Sequence, residues 1–185
     1  MEKDIEKILV SESEIKEICQ RLGRQISKDY EGKKLLLVSV LKGAVVFMAD
    51  LMREITIPCT IDFMAVSSYK NSTKSSGAVT FKKDLDINPE GYDILIVEDI
   101  LDSGLSLKSI TEILKCRGAN SLKICAFLDK PENRQTEITA DYVGTQVPNE
   151  FVVGYGLDYA EKYRNLPFVG VLKPHVYQKQ LKGLY

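Results

Sequence analysis

The sequence predicts an α/β fold, a twisted and mostly parallel sheet of about five strands flanked by helices. Three observations lead there. Short apolar runs rich in β-branched residues recur along the chain, stretches with apolar residues at helical spacing lie between them, and one apolar run leads straight into two adjacent acidic residues. A strand–helix–strand order favours parallel pairing, because a crossover helix returns the chain to the same end of the sheet.

The elements follow in order. Ser11-Glu12-Ser13-Glu14 has the pattern of a capping box, in which a serine hydroxyl and a glutamate three residues on each satisfy the other's free backbone N–H. Ile15, Ile18, Cys19, Leu22 and Ile26 then recur at helical spacing and give that helix one apolar face. Residues 33–40 are mostly apolar with β-branched members and predict a buried strand, residues 44–54 return to helical spacing, and residues 58–67 alternate as a strand does. Residues 93–97 (DILIV) are a second apolar strand, and residues 106–117 form an amphipathic helix stopped by Gly118. Residues 121–128, 151–153 and 168–172 are further strand candidates. The polar stretch 67–77 (SSYKNSTKSSG) is too long for a hairpin turn and has nothing to bury. It reads equally as a mobile surface loop or as an active-site lid.

Bulk properties exclude several classes. The 185 residues, 44% hydrophobic and 28% charged, suit one compact domain with at most a small appended subdomain. A net charge of −1 supplies no global field toward nucleic acid or anionic membrane. No apolar run approaches the ~20 residues of a membrane span, and the polar residues 1–7 lack the apolar core of a secretory signal. The four cysteines, Cys19, Cys59, Cys116 and Cys125, make no C-x-x-C pair, and His175 is the one histidine, which argues against a zinc site. Cys59 and Cys125 sit in apolar runs and are expected as buried thiols, which points to the cytoplasm.

The chemistry concentrates after residues 93–97. Open parallel sheets bind ligands at the carboxyl ends of their strands, and here such an end carries Glu98 and Asp99. Ile100, Leu101, Asp102, Ser103 and Gly104 then lead into the helix expected near Ser106. A helix N-terminus offers free N–H groups and the positive end of its dipole to an anion. Ser103 and Ser106 add hydroxyl donors, and Gly104 allows close backbone approach. Adjacent carboxylates would repel a phosphate laid directly on them. They suit a ligand with phosphate at one end and hydroxyls or a metal ion a few ångströms away, the shape of a ribose 5-phosphate. Asp102 lies between the two ends, where it can act as a base. The rival phosphate motifs, G-x-x-x-x-G-K-[ST] and a post-strand G-x-G-x-x-G, are absent from the sequence.

Residues 97–107 (VEDILDSGLSL) resemble the phosphoribosyl-binding signature of the type I phosphoribosyltransferases, and most closely of the hypoxanthine (guanine) phosphoribosyltransferases. The resemblance runs from Leu41-Lys42-Gly43 to Arg164. It implies one domain over residues 1–185, with a core at about 30–145 and a small hood from the N-terminal segment and about 146–185. It also implies a role for each matched residue. Glu98 and Asp99 contact the ribose hydroxyls and lie close to Mg²⁺, and Asp102 is the general base near the purine N7. Ser103, Gly104, Leu105 and Ser106 bind the 5′-phosphate, with serines where many relatives carry threonine. Lys42 and Gly43 form the pyrophosphate loop, where the family often has a cis peptide, and Ser68 and Tyr69 begin the lid. Lys130 donates to the purine 6-oxo group, Phe151 stacks on the base, and Val152 binds its edge through the backbone. Asp158 belongs to a second metal site, and Arg164 binds pyrophosphate. Taken singly these residues have plainer readings: Lys42 as a strand-end lysine, Lys130 as a loop charge, Phe151 as core, Asp158 and Arg164 as an exposed ion pair.

The implied reaction moves a 5-phosphoribosyl group from phosphoribosyl pyrophosphate to N9 of hypoxanthine or guanine, giving IMP or GMP and pyrophosphate, in a cytoplasmic homodimer or homotetramer. Rival readings are a nucleic-acid-binding regulator on the same fold, which should carry a basic face, and transfer to xanthine or adenine. If residues 68–77 are a lid, hydrogen exchange in that segment should slow when pyrophosphate or a transition-state mimic binds. Equal protection with and without ligand would leave it a plain surface loop.

Overall fold

The computed structural model describes residues 1–68 and 79–181. Its elements are β1 (Ile5–Val10), α1 (Glu12–Asp29), β2 (Leu35–Leu41), α2 (Val45–Glu54), β3 (Cys59–Ser68), β4 (Val79–Lys83), β5 (Asp93–Leu101), α3 (Leu105–Lys115), β6 (Ser121–Asp129), β7 (Tyr142–Gln146), β8 (Val152–Val153), β9 (Val169–Leu172) and α4 (Pro174–Leu181). Six strands form one sheet in the order β4-β3-β2-β5-β6-β7. The β2–β3, β2–β5, β5–β6 and β6–β7 pairs are parallel, and β4 closes one edge antiparallel to β3. The fold is the α/β class with a mostly parallel sheet that the alternation of elements predicts.

Successive strand residues face opposite sides of a sheet, and here both sides are covered. Leu35 and Leu37 of β2 and Leu95 and Val97 of β5 join Ile15, Leu22 and Ile26 of α1 and Phe47, Met48 and Leu51 of α2. Leu36 and Val38, with Ile94 and Ile96, join Leu107, Ile110 and Leu114 of α3. Two covered faces are the reason these strands read as unbroken apolar runs rather than alternating ones. The capping box is formed: the Ser11 N–H donates to Glu14 Oε2 at 2.7 Å and the Glu14 N–H to Ser11 Oγ at 3.4 Å.

A second, antiparallel sheet has the order β1-β9-β8 and joins the two ends of the described chain. Its small core is Val153, Tyr163, Leu166 and Leu172. The sequence patterns leave β1, β4, β7 and α4 unmarked. β1 alternates poorly, with Val10 buried but Ile8 55% exposed, because it is an edge strand with one thin layer to cover. β7 is a short edge strand containing Gly144. Two further boundaries differ from expectation. β5 runs through Leu101 rather than ending at Val97, and α3 starts at Leu105 and ends at Lys115. Cys59, expected to be buried, is only half-buried, whereas Cys125 is fully enclosed. Among the described residues, no helix is long and apolar enough to cross a membrane.

The α1–α2 contact is close at Gly23, where a β-carbon would lie 2.5 Å from Glu54 Cβ and 2.6 Å from Glu54 O. Backbone cannot yield as a side-chain end can, so Gly23→Ala should destabilise the fold by about 1–3 kcal/mol despite alanine's better helix propensity. Thermal unfolding should show a drop of about 3–10 °C.

Candidate active site

The chain leaves β2 through α2 to β3 on one side of the sheet and leaves β5 through α3 to β6 on the other. Connections diverging from adjacent parallel strands open a crevice at their carboxyl ends. Lys42-Gly43 emerges from β2 on one wall, and Glu98 and Asp99 sit on β5 opposite. The Leu41–Lys42 peptide is cis. Gly43 lies so close to Asp99 that a β-carbon there would collide with Asp99 Oδ2, and a β-carbon on Gly156 would collide with the Gly43 carbonyl. The Gly43 and Gly156 segments therefore meet nearly backbone to backbone, and the Asp99 carboxylate lies directly against Gly43, an approach that glycine permits. Gly156 also has φ +97°, a conformation costly for other residues.

Past β5 the chain turns through Asp102, Ser103 and Gly104, the last with φ +80°, into the first turn of α3. No acidic side chain occupies that turn, so the helix dipole is left to an outside anion. The Ser103 hydroxyl accepts from the Leu105 N–H at 3.5 Å, and Ser106 is exposed on the same turn. A β-carbon on Gly104 would lie 2.5 Å from both Thr136 Oγ1 and Ile138 Cγ2.

A second segment clasps this turn from behind. The Lys130 N–H donates to the Leu101 carbonyl at 3.0 Å, and the Gln135 N–H to the Ser103 carbonyl at 2.9 Å. Asn133 Nδ2 donates to Asp102 Oδ1 at 2.6 Å. Arg134 donates to the carbonyls of Asp102 (2.9 Å), Leu101 (3.2 Å) and Ile138 (2.6 Å), and pairs with the Asp129 carboxylate. The sequence patterns do not single out Asn133 or Arg134. An asparagine and an arginine after Lys130-Pro131 carry no local signal, and only the tertiary fold lays them against residues 101–103.

Lys130 itself is 7% exposed. Its Nζ donates to the Glu150 carbonyl at 3.0 Å and lies 4.0 Å from Asp102 Oδ2. Glu150 precedes Phe151, whose ring is 40% exposed. Phe151 is therefore not core. It stacks on Tyr177 with centroids 5.0 Å apart and meets Tyr159 edge-on at 5.6 Å. Val152 is buried in β8. Arg164 donates to the Gly156 carbonyl at 2.7 Å and pairs with Asp158 at 2.8 Å, while Lys42 pairs with Glu161 at 3.0 Å. Tyr69 lies outside the described residues, and Ser68 ends β3 opposite Val79. A separate cavity of about 650 Å³ opens behind Arg164, between α1 and α2, lined in part by Cys19, Asp50 and Tyr155.

The acidic pair is electrostatically costly where it stands. Burial and the neighbouring Asp99 charge push the Glu98 carboxyl well above the usual range. Burial raises Asp99 to about 6, although the Ile100 N–H donates to it at 2.8 Å and Arg164 favours its ionised form. Oxygen-only donors under such strain suit a hard divalent cation. Among the described residues, however, no group of three potential ligands converges. Asp158 stands apart from the acidic pair and faces Arg164, at 2.8 Å. Such a pair fits Mg²⁺, which takes one or two protein carboxylates and completes its shell with water and substrate oxygens.

Comparison with known proteins agrees with this architecture. The family model of the phosphoribosyl transferase domain matches residues 7–160. The chain is 53% identical over 177 residues to a hypoxanthine-guanine phosphoribosyltransferase of Staphylococcus aureus, covering 96% of this chain and 99% of that protein. It is also 53% identical over 179 residues to the bifunctional protein TilS/HprT of Listeria monocytogenes, of whose length it spans 28%. A crystal structure of a Staphylococcus aureus hypoxanthine phosphoribosyltransferase superposes with a TM-score of 0.93, covering 96% of each chain. The chain thus belongs to the phosphoribosyltransferase family.

The raised Asp99 value fixes the sign of a pH effect on stability. Below the unfolded value near 3.8 the group is protonated in both states. Between about 4 and 6 the unfolded chain ionises first, so stability falls as pH rises, and the loss is complete above 6. Asp99→Asn should therefore stabilise the ligand-free protein by about 1–3 kcal/mol at pH 7.5 and by little at pH 4. Urea unfolding of both proteins at the two pH values measures the difference.

Proposed function

We propose that this chain transfers the 5-phosphoribosyl group of phosphoribosyl pyrophosphate to N9 of hypoxanthine or guanine, releasing pyrophosphate and forming IMP or GMP in purine salvage. The observation that carries the proposal is the meeting, in one crevice, of a half-buried acidic pair, a helix N-terminus with no acidic side chain in its first turn, and a nearly buried lysine held on the carbonyl of the residue before an exposed Phe151.

The roles that the family resemblance implies are compatible with those positions. The 5′-phosphate sits on Ser103, Gly104, Leu105 and Ser106 at the start of α3. Glu98 and Asp99 accept hydrogen bonds from the ribose diol. Lys42, Gly43 and Arg164 receive the pyrophosphate, the two cations exchanging Glu161 and Asp158 for phosphate oxygens. These exchanges cost little, because partly exposed ion pairs are weak. Glu98 and Asp99, and at a second position Asp158, would hold Mg²⁺, which would supply charge neutralisation for the departing pyrophosphate. Lys130 reads the purine 6-oxo group, Phe151 stacks on the base, and the Val152 backbone binds its edge. Asp102 takes the N7 proton, a contribution of roughly 10²–10⁴-fold. Residues 68–77 exclude water from the cation-like sugar.

The three-stranded sheet with the segment after residue 146 forms the hood over the base, and residues 30–145 form the core. The protein works in the cytoplasm as a homodimer or homotetramer. The net charge of −1 disfavours a nucleic-acid-binding role.

The deciding assay is purified protein with phosphoribosyl pyrophosphate and Mg²⁺, tested separately on hypoxanthine, guanine, xanthine, adenine and uracil. A lysine ammonium offers only donors, whereas adenine presents an amino group where hypoxanthine has an acceptor. Adenine should be at least about a hundredfold poorer in kcat/KM, within the ~10⁴ that such hydrogen-bond selection reaches. Lys130→Gln should narrow the gap, since an amide presents either polarity. Equal use of adenine and hypoxanthine by the wild type would overturn the assignment. Asp102→Asn should lower kcat at least about tenfold with a smaller effect on binding, and unchanged turnover across the pH range would remove Asp102 as the base.

A further inference from the structure

We propose that Asn133 is a positioning residue for Asp102, fixing the carboxylate so that one oxygen is spent on the protein and the other is presented to the reacting base. The inference rests on Asp102 as the proton acceptor and goes beyond it in naming what holds that group in place.

Asp102 is not held by packing, since its side chain is 43% exposed. Its backbone is anchored, with the Asp102 carbonyl accepting from Arg134 Nε at 2.9 Å. Among the described residues one hydrogen bond anchors the carboxylate, from Asn133 Nδ2 to Oδ1 at 2.6 Å. The other oxygen, Oδ2, lies 4.0 Å from Lys130 Nζ, just beyond a hydrogen bond. That spacing matters chemically. Lys130 Nζ is already directed to the Glu150 carbonyl at 3.0 Å, beside Phe151. A carboxylate released from Asn133 can rotate toward the ammonium and shorten this 4.0 Å ion pair into a direct hydrogen bond. The acceptor would then be masked and the lysine diverted from the base. Asn133 thus keeps two oppositely charged groups apart at close range. A neutral amide does so without adding a charge that would repel or neutralise either one.

Asn133 is well placed for this task. It ends the short 3₁₀ turn Pro131–Asn133, and its own N–H donates to the Lys130 carbonyl at 3.3 Å. The same turn therefore presents Lys130 at one end and the Asp102 anchor at the other. Next in the chain, Arg134 grips the carbonyls of Leu101 and Asp102. Groups that act on one another through so short a rigid link should show non-additive substitution effects.

The test is a double-mutant cycle in the full chain, with kcat and KM measured for hypoxanthine and for phosphoribosyl pyrophosphate. Asn133→Leu removes the donor at similar volume, and Asn133→Ala serves if the leucine variant fails to fold. In the wild-type background either change should lower kcat about five- to tenfold while KM for phosphoribosyl pyrophosphate stays within about twofold. In the Asp102→Asn background the same change should lower kcat by less than about twofold, because the group it positions is already gone. Equal losses in both backgrounds would overturn the positioning role while leaving Asp102 as the base. Wild-type kcat in Asn133→Leu would do the same. Wild-type kcat in Asp102→Asn alone would overturn the assignment of the base, and this proposal with it.

Discussion

The divergence of the chain from β2 and β5 is the constraint on which the site depends. A parallel sheet whose connections all passed to one side would have its strand ends roofed over by the next crossover. Because α2 leads to β3 on one side and α3 to β6 on the other, the ends of β2 and β5 stay open to a ligand. The apolar residues on both faces of these strands, Leu35 to Val38 and Ile94 to Val97, make the platform stiff enough to hold two carboxylates at its rim. Gly43 and Gly156 then set how closely the walls approach, by leaving no side chain between Asp99 and two loops.

The cations at this rim are already engaged. Lys42 is paired with Glu161, Arg164 with Asp158, and Lys130 with the Glu150 carbonyl. The acidic pair has no comparable cation within ion-pairing reach among the described residues, and burial pushes both of its members toward protonation. The site is thus organised unevenly before a ligand arrives. Its positive groups are held in place by weak, exchangeable partners, and its negative groups carry an unmet demand for positive charge. A ligand bringing phosphates and a divalent cation together meets both conditions.

The small sheet shares the main core through Val10, Val152 and Val169, and polar contacts tie it to the site. Lys7 of β1 pairs with the Glu150 carboxylate at 2.9 Å, and the Glu150 carbonyl receives Lys130 from the core. The Leu172 N–H of β9 donates to the Phe151 carbonyl at 2.9 Å. One short stretch, Glu150-Phe151-Val152, thereby joins the two sheets, with Lys130 bonded at its first residue and the exposed ring at its second. Changes in the edge strands can reach the site by this route without touching a ligand.

The sequence alone determined the central sheet, because both-face burial writes itself as apolar runs, and helix α1, because a capping box and a 3.6-residue stripe are local signals. It also determined the segment from Glu98 to Ser106, whose residue types and order limit the chemistry. Edge elements such as β1 and β7 were not legible, since a strand with one thin face to cover need not alternate. The true end of β5 was hidden because acidic residues look like a loop when their neighbours are unknown. Only the tertiary structure decided that Asp158 pairs with Arg164, that Phe151 stands exposed against Tyr177, and that Asn133 and Arg134 close on Asp102. Those relations join residues far apart in the chain. Hydrogen bonds and ion pairs depend on distance and direction in space, and a linear pattern carries neither until the crossovers have brought the segments together.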